Sequence, residues 1–485
     1  MQEARFQCDW QAAAEPLPHF WEQCVGSCHA PLALRADWQE QLRRCHEELG
    51  FRYVRFHGLL CDDLGTLVCH KGRPLYSFYN ADCIWDFLLS IGMKPFVELS
   101  FMPGMLASGE QTVFHYRANV TPPRDYHAWG ALIEKLVAHW IERYGREEAR
   151  QWFFEVWNEP NLSIFWAGSQ EDYFRLYRHT ARAIKSVDSQ LRVGGPATAK
   201  EEWIEEFLDF CARDQVPVDF VSTHRYPNDV LWHDDQDSEG QLAHSRRSIL
   251  REWTRATRQK ARGFPLYYTE WNCSSNCRYE PQDEPYAAAY AVKTILEAAG
   301  LVDMYSFWTF TDIFEESYFS SLPFHGGFGL LNLHGIAKPV YRAFELLHRL
   351  GCEQLAVHGA HGTVDAWLVR GPDPGIVAAR EARILLTNLA LPRHPINEEE
   401  VHFRLSGVPP PRSLYVERID EEHANAKGRW QEMGQPEYLT GGQVEELHAA
   451  SRLMQTPLPC DYSERTLSVT LTMPPQSAVS VTVEF

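Results

Sequence analysis

Trp152-Phe153-Phe154-Glu155-Val156-Trp157-Asn158-Glu159-Pro160-Asn161 is the stretch on which the reading of this chain turns. Its first half is apolar and aromatic, the texture of a strand buried on both faces. Its second half is polar and stops at Pro160, which has no N–H to give a sheet and biases Glu159 toward an extended backbone. A carboxyl group beside a carboxamide is therefore expected at the mouth of a buried strand. Pro265-Leu266-Tyr267-Tyr268-Thr269-Glu270-Trp271-Asn272 repeats the design. Two glutamates at the ends of two buried strands are the minimum equipment for cutting a glycosidic bond.

Working outward, strands and helices alternate. Strands are expected at Trp21 to Gly26, Phe51 to His57, Lys94 to Phe101, Leu191 to Gly194, Val218 to Thr223 and Asp303 to Thr309, besides the two quoted. Helices are expected at Asp37 to Leu49, Asp82 to Ser90, Tyr126 to Tyr144, Glu171 to Val187, Glu201 to Ala212, Leu242 to Arg262, Pro285 to Ala299 and Val340 to Leu350, with a plain loop from Gly58 to Arg73. The strands carry no strictly polar face. Both observations fit a closed (β/α)8 TIM barrel. A doubly wound open sheet would need an early Gly-rich phosphate turn, which the sequence lacks.

After residue 350 short runs with β-type alternation take over: Thr363 to Arg370, Arg383 to Leu389, Val401 to Leu405, Ser413 to Glu417, Thr466 to Thr472 and Ala478 to Phe485. Gly371-Pro372-Asp373-Pro374-Gly375 and Pro409-Pro410-Pro411 punctuate them. The expected organisation is a catalytic barrel over 15–350 and a C-terminal β-sandwich accessory domain over 351–485. That sandwich carries a helical excursion near Val444 to Leu453, and residues 1–14 are candidates to join it. No linker separates the two parts, so firm packing is expected.

Composition excludes several partners. The chain of 485 residues has a net charge of −19, which disfavours nucleic acid and acidic lipid surfaces, since both need a basic footprint. A neutral oligosaccharide raises no such conflict, and 13% aromatic residues with 16 Trp suit stacking on sugar faces. No apolar run follows a basic start and no stretch is long enough to span a membrane. The 12 cysteines include no C-x-x-C pair; Cys24/Cys28 and Cys273/Cys277 read better as reduced thiols of a cytoplasmic protein than as zinc ligands. Self-association is left open.

Active sites of such barrels lie at the C-terminal mouth. Counting strands puts Glu159 at the end of the fourth and Glu270 at the end of the seventh. His57, Asn158, His224, Tyr226, Trp308 and Glu315-Glu316 lie at or just past other strand ends. Each has a structural reading of its own: a core histidine, barrel filling, a solvated loop. Their convergence on one rim is hard to explain as packing. Glu98 lies inside its strand, reads as buried structure or as a support behind the site, and is left out of the site.

On these residues the sequence resembles the bacterial β-xylosidases of glycoside hydrolase family 39. Further segments carry the resemblance: Phe51 to Leu60, Lys94 to Glu98, Asn119 to Pro123, Val216 to Ser222, Phe307 to Phe310, Phe324 to Gly329 and Ile419 to His423. The resemblance implies a retaining, exo-acting β-xylosidase that trims short xylo-oligosaccharides with no metal or organic cofactor. It implies Glu159 as acid/base and Glu270 as nucleophile, roles that spacing alone leaves symmetric. Asn158 would bind the 2-OH; His57, His224, Tyr226, Trp308, Glu315 and Glu316 would line the glycone pocket, with Phe114 and Phe165 as walls. Three departures stand beside it: Arg225 where the family has Ala, Trp271 after the second glutamate, and a shorter loop containing Trp232-His233-Asp234-Asp235. They keep other sugars in view, as a β-glucosidase, a β-galactosidase or an α-L-iduronidase. For the last, Arg225 would be the cation a uronic acid requires. A non-catalytic sugar-binding barrel is disfavoured, because both carboxyl groups are present.

Overall fold

The computed structural model describes residues 3–229, 238–316, 318–371 and 381–485. Eight strands run parallel and in chain order around a closed barrel. They are β1 (Cys24–His29), β2 (Tyr53–His57), β3 (Lys94–Leu99), β4 (Phe153–Val156), β5 (Arg192–Ala199), β6 (Phe220–His224), β7 (Leu266–Trp271) and β8 (Met304–Phe307). Closure is made by Phe307 pairing with Val25. The helices between them form where the sequence supplies caps and an apolar stripe. Tyr126–Tyr144 opens at Asp125, whose side chain accepts from the His127 N–H, and Gln170–Val187 opens with a Ser169/Asp172 capping box.

The barrel interior is layered. Cys24, Phe96, Phe153, Phe220 and Met304 form an apolar plug, with Tyr53 and Tyr267 against it. These residues lie at or near the starts of the strands, so the plug closes the N-terminal end. Above it every strand is still buried, but charged and hydroxyl side chains appear: Arg55, Glu98, Glu155 and Thr269, each no more than 1% exposed. The mouth lies above that.

Two further sheets pack face to face. Ala4–Asp9, Glu399–Ser406, Thr466–Met473 and Asp461–Ser463 make one. The other is seven-stranded and includes Val364–Arg370, Glu381–Asn388, Ser477–Glu484 and Ser413–Ile419. Phe403, Leu405 and Val469 from the first share a core with Leu368, Ile384 and Val481 from the second. This is a β-sandwich, and Ala4–Asp9 joins it by pairing parallel to Glu399–Ser406. Ion pairs and hydrogen bonds tie it to the barrel side: Arg247 to Asp365 at 2.7 Å, Lys427 to Glu284 at 2.6 Å, and Arg342 Nε to the Ser451 carbonyl at 2.6 Å.

Several local expectations need correction. The first strand lies three residues later than expected, because Phe20–Glu22 forms a 3-10 turn at the barrel base. The segment expected to be a loop contains a hairpin, Leu67–His70 with Arg73–Tyr76. The strand expected to end at Gly194 runs on to Ala199, and the helix after it starts at Ile204, since Trp203 takes a left-handed φ of 61°. The long helix before β7 is broken into Ser238–Ala243 and Ile249–Lys260. Ala426–Glu432 is an additional helix, and the excursion near Val444 begins at Gly441. Residues 232–235 and 372–375 lie outside the described residues.

The loop after β8 is held by one buried cation. Lys338 Nζ lies 2.6 Å from Asp283, 2.6 Å from Asp312, and donates to the Gly327 carbonyl at 2.9 Å. Those carboxylates accept from the N–H groups of Gly326 and Gly329 in turn. Lys338→Met leaves two buried anions without their cation and should cost about 3–5 kcal/mol. The shift in denaturant midpoint measures it; a loss below about 1 kcal/mol would mean that the loop is held by other contacts.

Candidate active site

The site is built on Arg55, which is fully buried in the middle of β2. Its guanidinium donates through Nε to Glu155 at 2.5 Å, through Nη1 to Glu270 at 2.8 Å and through Nη2 to Asn158 Oδ1 at 3.0 Å. Nη2 also lies 2.8 Å from Glu98. A planar five-donor fork suits this task; an ammonium could not span it. The amide oxygen of Asn158 is thereby occupied, so its NH2 is what it can offer to a bound ligand.

His57 carries the second cation. Its Nδ1 lies 2.9 Å from Glu98, and its Nε2 lies 3.9 Å from Glu270 and 3.5 Å from Glu316. Burial opposes the charge, but Glu98, Glu316 and Glu270 outweigh it and lift the imidazolium pKa to about 10. Glu270 thus has Arg55 on one oxygen, His57 nearby, and the Tyr226 hydroxyl donating to its other oxygen at 2.9 Å. Burial raises its pKa, while Arg55, His57 and Tyr226 pull it back toward the charged form.

Glu159 is raised further, and no cation is bonded to it among the described residues. Burial drives its pKa well above the ordinary carboxyl range, and the charges of Glu270 and Asp229 push the same way. Its hydrogen-bond neighbours place the proton. The Thr269 hydroxyl donates to Glu155 at 2.8 Å. The Thr269 oxygen can therefore accept from His224 Nε2, 3.0 Å away. That leaves His224 Nδ1 as an acceptor, 2.9 Å from Glu159 Oε1, so Glu159 donates. His224 can play this part because burial, with Arg55 and His57 nearby, holds its pKa well below the usual value and keeps it neutral. One oxygen of Glu159 and one of Glu270 lie within 4.8 Å of each other.

The backbone at Glu159 departs from expectation. It sits at φ 44°, not in an extended conformation, and Trp157 two residues before it is at φ 72°. The bias from Pro160 is overridden by the Glu159 N–H, which donates to the Ala197 carbonyl at 2.8 Å on the neighbouring strand. Strained backbone of this kind persists where the surroundings over-determine it.

Aromatic rings wall the site. Trp308 packs on His57 with centroids 4.9 Å apart and shares a buried cluster with Tyr226 and Phe328. Phe114 faces His57 at 6.3 Å and packs on Phe165 at 5.6 Å. Of the Glu315-Glu316 pair, only Glu316 approaches His57. The Glu315 carboxylate is instead bonded to His29 Nδ1 at 2.5 Å. His29, at the end of β1, also lies 3.1 Å from Asp63 and stacks on Tyr116 at 3.7 Å. Burial lowers its pKa, but Asp63, Cys61 and Glu315 raise it to about 11, so an imidazolium pins three loops together. Arg225 is engaged by an aromatic ring and a carboxyl of its own. Its guanidinium lies 3.5 Å over the Trp253 ring and 3.4 Å from Asp229.

The sequence reading missed Arg55, Glu155, Thr269, His29 and Asp229, and left Glu98 out of the site as buried structure or a support behind it; the structure makes it a support, bridging Arg55 and His57. Arg55 and Glu155 did leave a signal: opposite charges in the interiors of buried strands must pair. Among the described residues two groups bring three metal-capable atoms within 4.8 Å: His29, Cys61 and Asp63, and Glu159, His224 and Glu270. In the first, His29 is already held between two carboxylates. In the second, the Glu159 proton already bridges to His224.

A closed (β/α)8 barrel with facing carboxyls at the ends of its fourth and seventh strands, this close together, defines a glycosidase of the retaining type; about 5–5.5 Å separates such pairs, against about 6.5–9.5 Å in inverting enzymes. The chain belongs to the glycosyl hydrolases of family 39, whose sequence model matches residues 5–464. It is 50% identical over 473 residues to a β-xylosidase of Caldicellulosiruptor saccharolyticus, covering 96% of this chain and 95% of that one. It is 39% identical over 452 residues to a β-xylosidase of Geobacillus stearothermophilus, covering 90% and 87%. The crystal structure of a monomeric β-xylosidase from Caulobacter crescentus CB15 superposes with a TM-score of 0.86 at 35% identity, over 99% of both chains.

Glu270→Gln removes the neighbouring negative charge that helps raise Glu159. The Glu159 titration should then move down, as followed by carboxyl-carbon NMR against pH. An unmoved titration would show that burial alone holds the proton.

Proposed function

We infer that this protein is a retaining, exo-acting β-xylosidase that releases xylose from the non-reducing end of short xylo-oligosaccharides. The observation that carries the reading is the asymmetry of the two carboxyls. A hydrogen-bond chain from Glu155 through Thr269 and His224 favours a protonated Glu159, while Arg55 and His57 favour an ionised Glu270. Glu270 is the nucleophile on this reading. It forms a bond to the anomeric carbon as the bond from that carbon to the leaving oxygen breaks, and Glu159 gives that oxygen its proton. Glu159, now a carboxylate, takes a proton from water; the water oxygen attacks the anomeric carbon and Glu270 is released. Esterified Glu270 carries no charge, so one of the neighbouring charges that raised Glu159 is gone when Glu159 must act as base.

Asn158 offers its NH2 to the 2-hydroxyl. His57, His224, Tyr226, Trp308 and Glu316 bound the glycone, with Phe114 and Phe165 behind them. Glu315 acts through His29 and keeps Glu316 in place. The names of the two relatives support xylose. The placement of Arg225, between Trp253 and Asp229, argues against a uronic acid, since its charge is already engaged. Residues 15–350 form the catalytic part on this reading and 351–485 the accessory one, with the first strand of the chain added to it. A cytoplasmic home agrees with twelve cysteines that form no disulfide. No helix among the described residues is long and apolar enough to cross a membrane.

A side-by-side assay of aryl β-xyloside, β-glucoside, β-galactoside, α-L-arabinoside and α-L-iduronide should give the highest kcat/KM on the xyloside. A preference for the iduronide would overturn the reading of Arg225, and a preference for glucoside or galactoside would overturn the choice of sugar.

Leaving-group chemistry separates the two glutamates. With Glu159→Ala, a dinitrophenyl xyloside should still glycosylate the enzyme, accumulate as a burst and turn over with azide to give the β-azide. With Glu270→Ala even this substrate should fail, at a cost of several kcal/mol or about a thousandfold or more, and azide rescue should give the α-azide. The reverse pattern of azides, read by proton NMR, would exchange the two roles.

A further inference from the structure

The loop after β8 does not stop at the buried carboxyls. The Glu316 side chain is 9% exposed and 3.5 Å from His57, whereas Tyr318, two residues on, is 73% exposed. The chain therefore climbs from the site to solvent within three positions. The backbone of Tyr318 is at φ 68°, a left-handed conformation that a bulky residue rarely adopts and that must be held by its surroundings. Its support is visible. The Tyr318 ring lies on His115, with centroids 4.5 Å apart and planes at 31°. The His115 N–H donates to the Glu316 carbonyl at 3.4 Å. Phe114, adjacent in the chain, faces His57. The same support has an unmet polar group: His115 Nδ1 is buried with no hydrogen-bond partner among the described residues. A buried orphan of this kind calls for a partner.

A strained, exposed ring anchored to the wall of a sugar site is costly unless something uses its open face. In an exo-acting enzyme the part of the substrate that extends from the carboxyls toward solvent is the leaving group. We propose that Tyr318, braced by His115, is the platform on which the first leaving-group sugar of a xylo-oligosaccharide stacks. This rests on the xylosidase reading. A xylopyranose has no hydroxymethyl arm, so its C–H face can lie flat on the open face of the phenol ring. The platform makes a xylosyl leaving group better than one too small to reach the ring.

The test compares xylobiose and methyl β-xyloside on wild type, Tyr318→Ala and Tyr318→Phe. Tyr318 is exposed, so neither substitution touches the core. Tyr318→Ala should lower kcat/KM for xylobiose roughly tenfold, the scale of one ring contact, mainly through KM. Methyl β-xyloside should be unaffected, and Tyr318→Phe should keep most of the wild-type value on both substrates. An equal loss on both substrates, or no loss on either, would overturn the proposal. So would a change in oligomeric state by size exclusion without a selective loss on xylobiose, which would make the ring an interface between copies. Failure of the wild type to hydrolyse either xyloside would overturn the xylosidase reading itself, a distinct result.

Discussion

A single guanidinium sets the terms for the interior of this barrel. Arg55 is fully buried and touches Glu98, Glu155, Glu270 and Asn158. Together with the His57 imidazolium it supplies two positive charges. Three carboxylates, Glu98, Glu155 and Glu270, are bonded to these cations or within reach of them. The cluster is already short of cations before Glu159 and Glu316 are considered, and ions removed from water tolerate no further uncompensated charge. Protonation is the available relief. Burial raises the pKa values of Glu159, Glu270 and Glu316 alike, but Arg55 and His57 pull Glu270 back and His57 pulls Glu316 back, whereas Glu270 and Asp229 push Glu159 further up, so Glu159 is the group that takes a proton. The acid form of Glu159 follows from this shortage of cations around it.

The barrel turns that shortage into direction. Below the ionic layer the aromatic plug bars water from the N-terminal end. Above it, three strands each contribute one link to the proton chain: Glu155 from β4, Thr269 from β7 and His224 from β6. The register is not regular here. Pairing of β6 with β7 shifts between Thr223 and His224, and that of β5 with β6 between Pro196 and Thr198. Such irregularities re-aim side chains at strand ends. His224 lies on the shifted part, bonded to both Glu159 and Thr269.

Much of this was legible in the sequence and some was not, for physical reasons. Eight apolar segments alternating with capped helices announce a barrel, because parallel strands buried on both faces have few other homes. Glu159 and Glu270 were legible because a polar residue ending an apolar run must face something other than core. Arg55 was not, although its anomaly was in plain sight: its partners lie 100 and 215 residues away and meet it only when the barrel closes. His29 was missed through a three-residue error in the first strand, and its partners Asp63 and Glu315 come from two separate loops. The backbone of Glu159 was misjudged because a local rule about proline met a hydrogen bond to Ala197 from the next strand. In each case the missing information is a contact across the barrel, which no window of sequence contains.

The ionic layer also bears on why the reaction is feasible inside a buried cluster. On the assignment proposed here, the first chemical step transfers the Glu159 proton to the departing oxygen and neutralises Glu270 as an ester. Before the step Glu270 is an anion and Glu159 is not; after it the two have exchanged, while Glu98 and Glu155 are unchanged. The total charge facing Arg55 and His57 does not change, and no ion is created in a medium that cannot solvate it. What moves is one negative charge, over a gap bounded by oxygens within 4.8 Å of each other. The donors that accommodate the shift are fixed in advance by strands, so little reorganisation accompanies it, which is the condition under which preorganised electrostatics lowers a barrier most. A sugar that develops positive charge at its anomeric carbon between these two carboxyls would meet a net negative cluster throughout, before and after the charge has crossed.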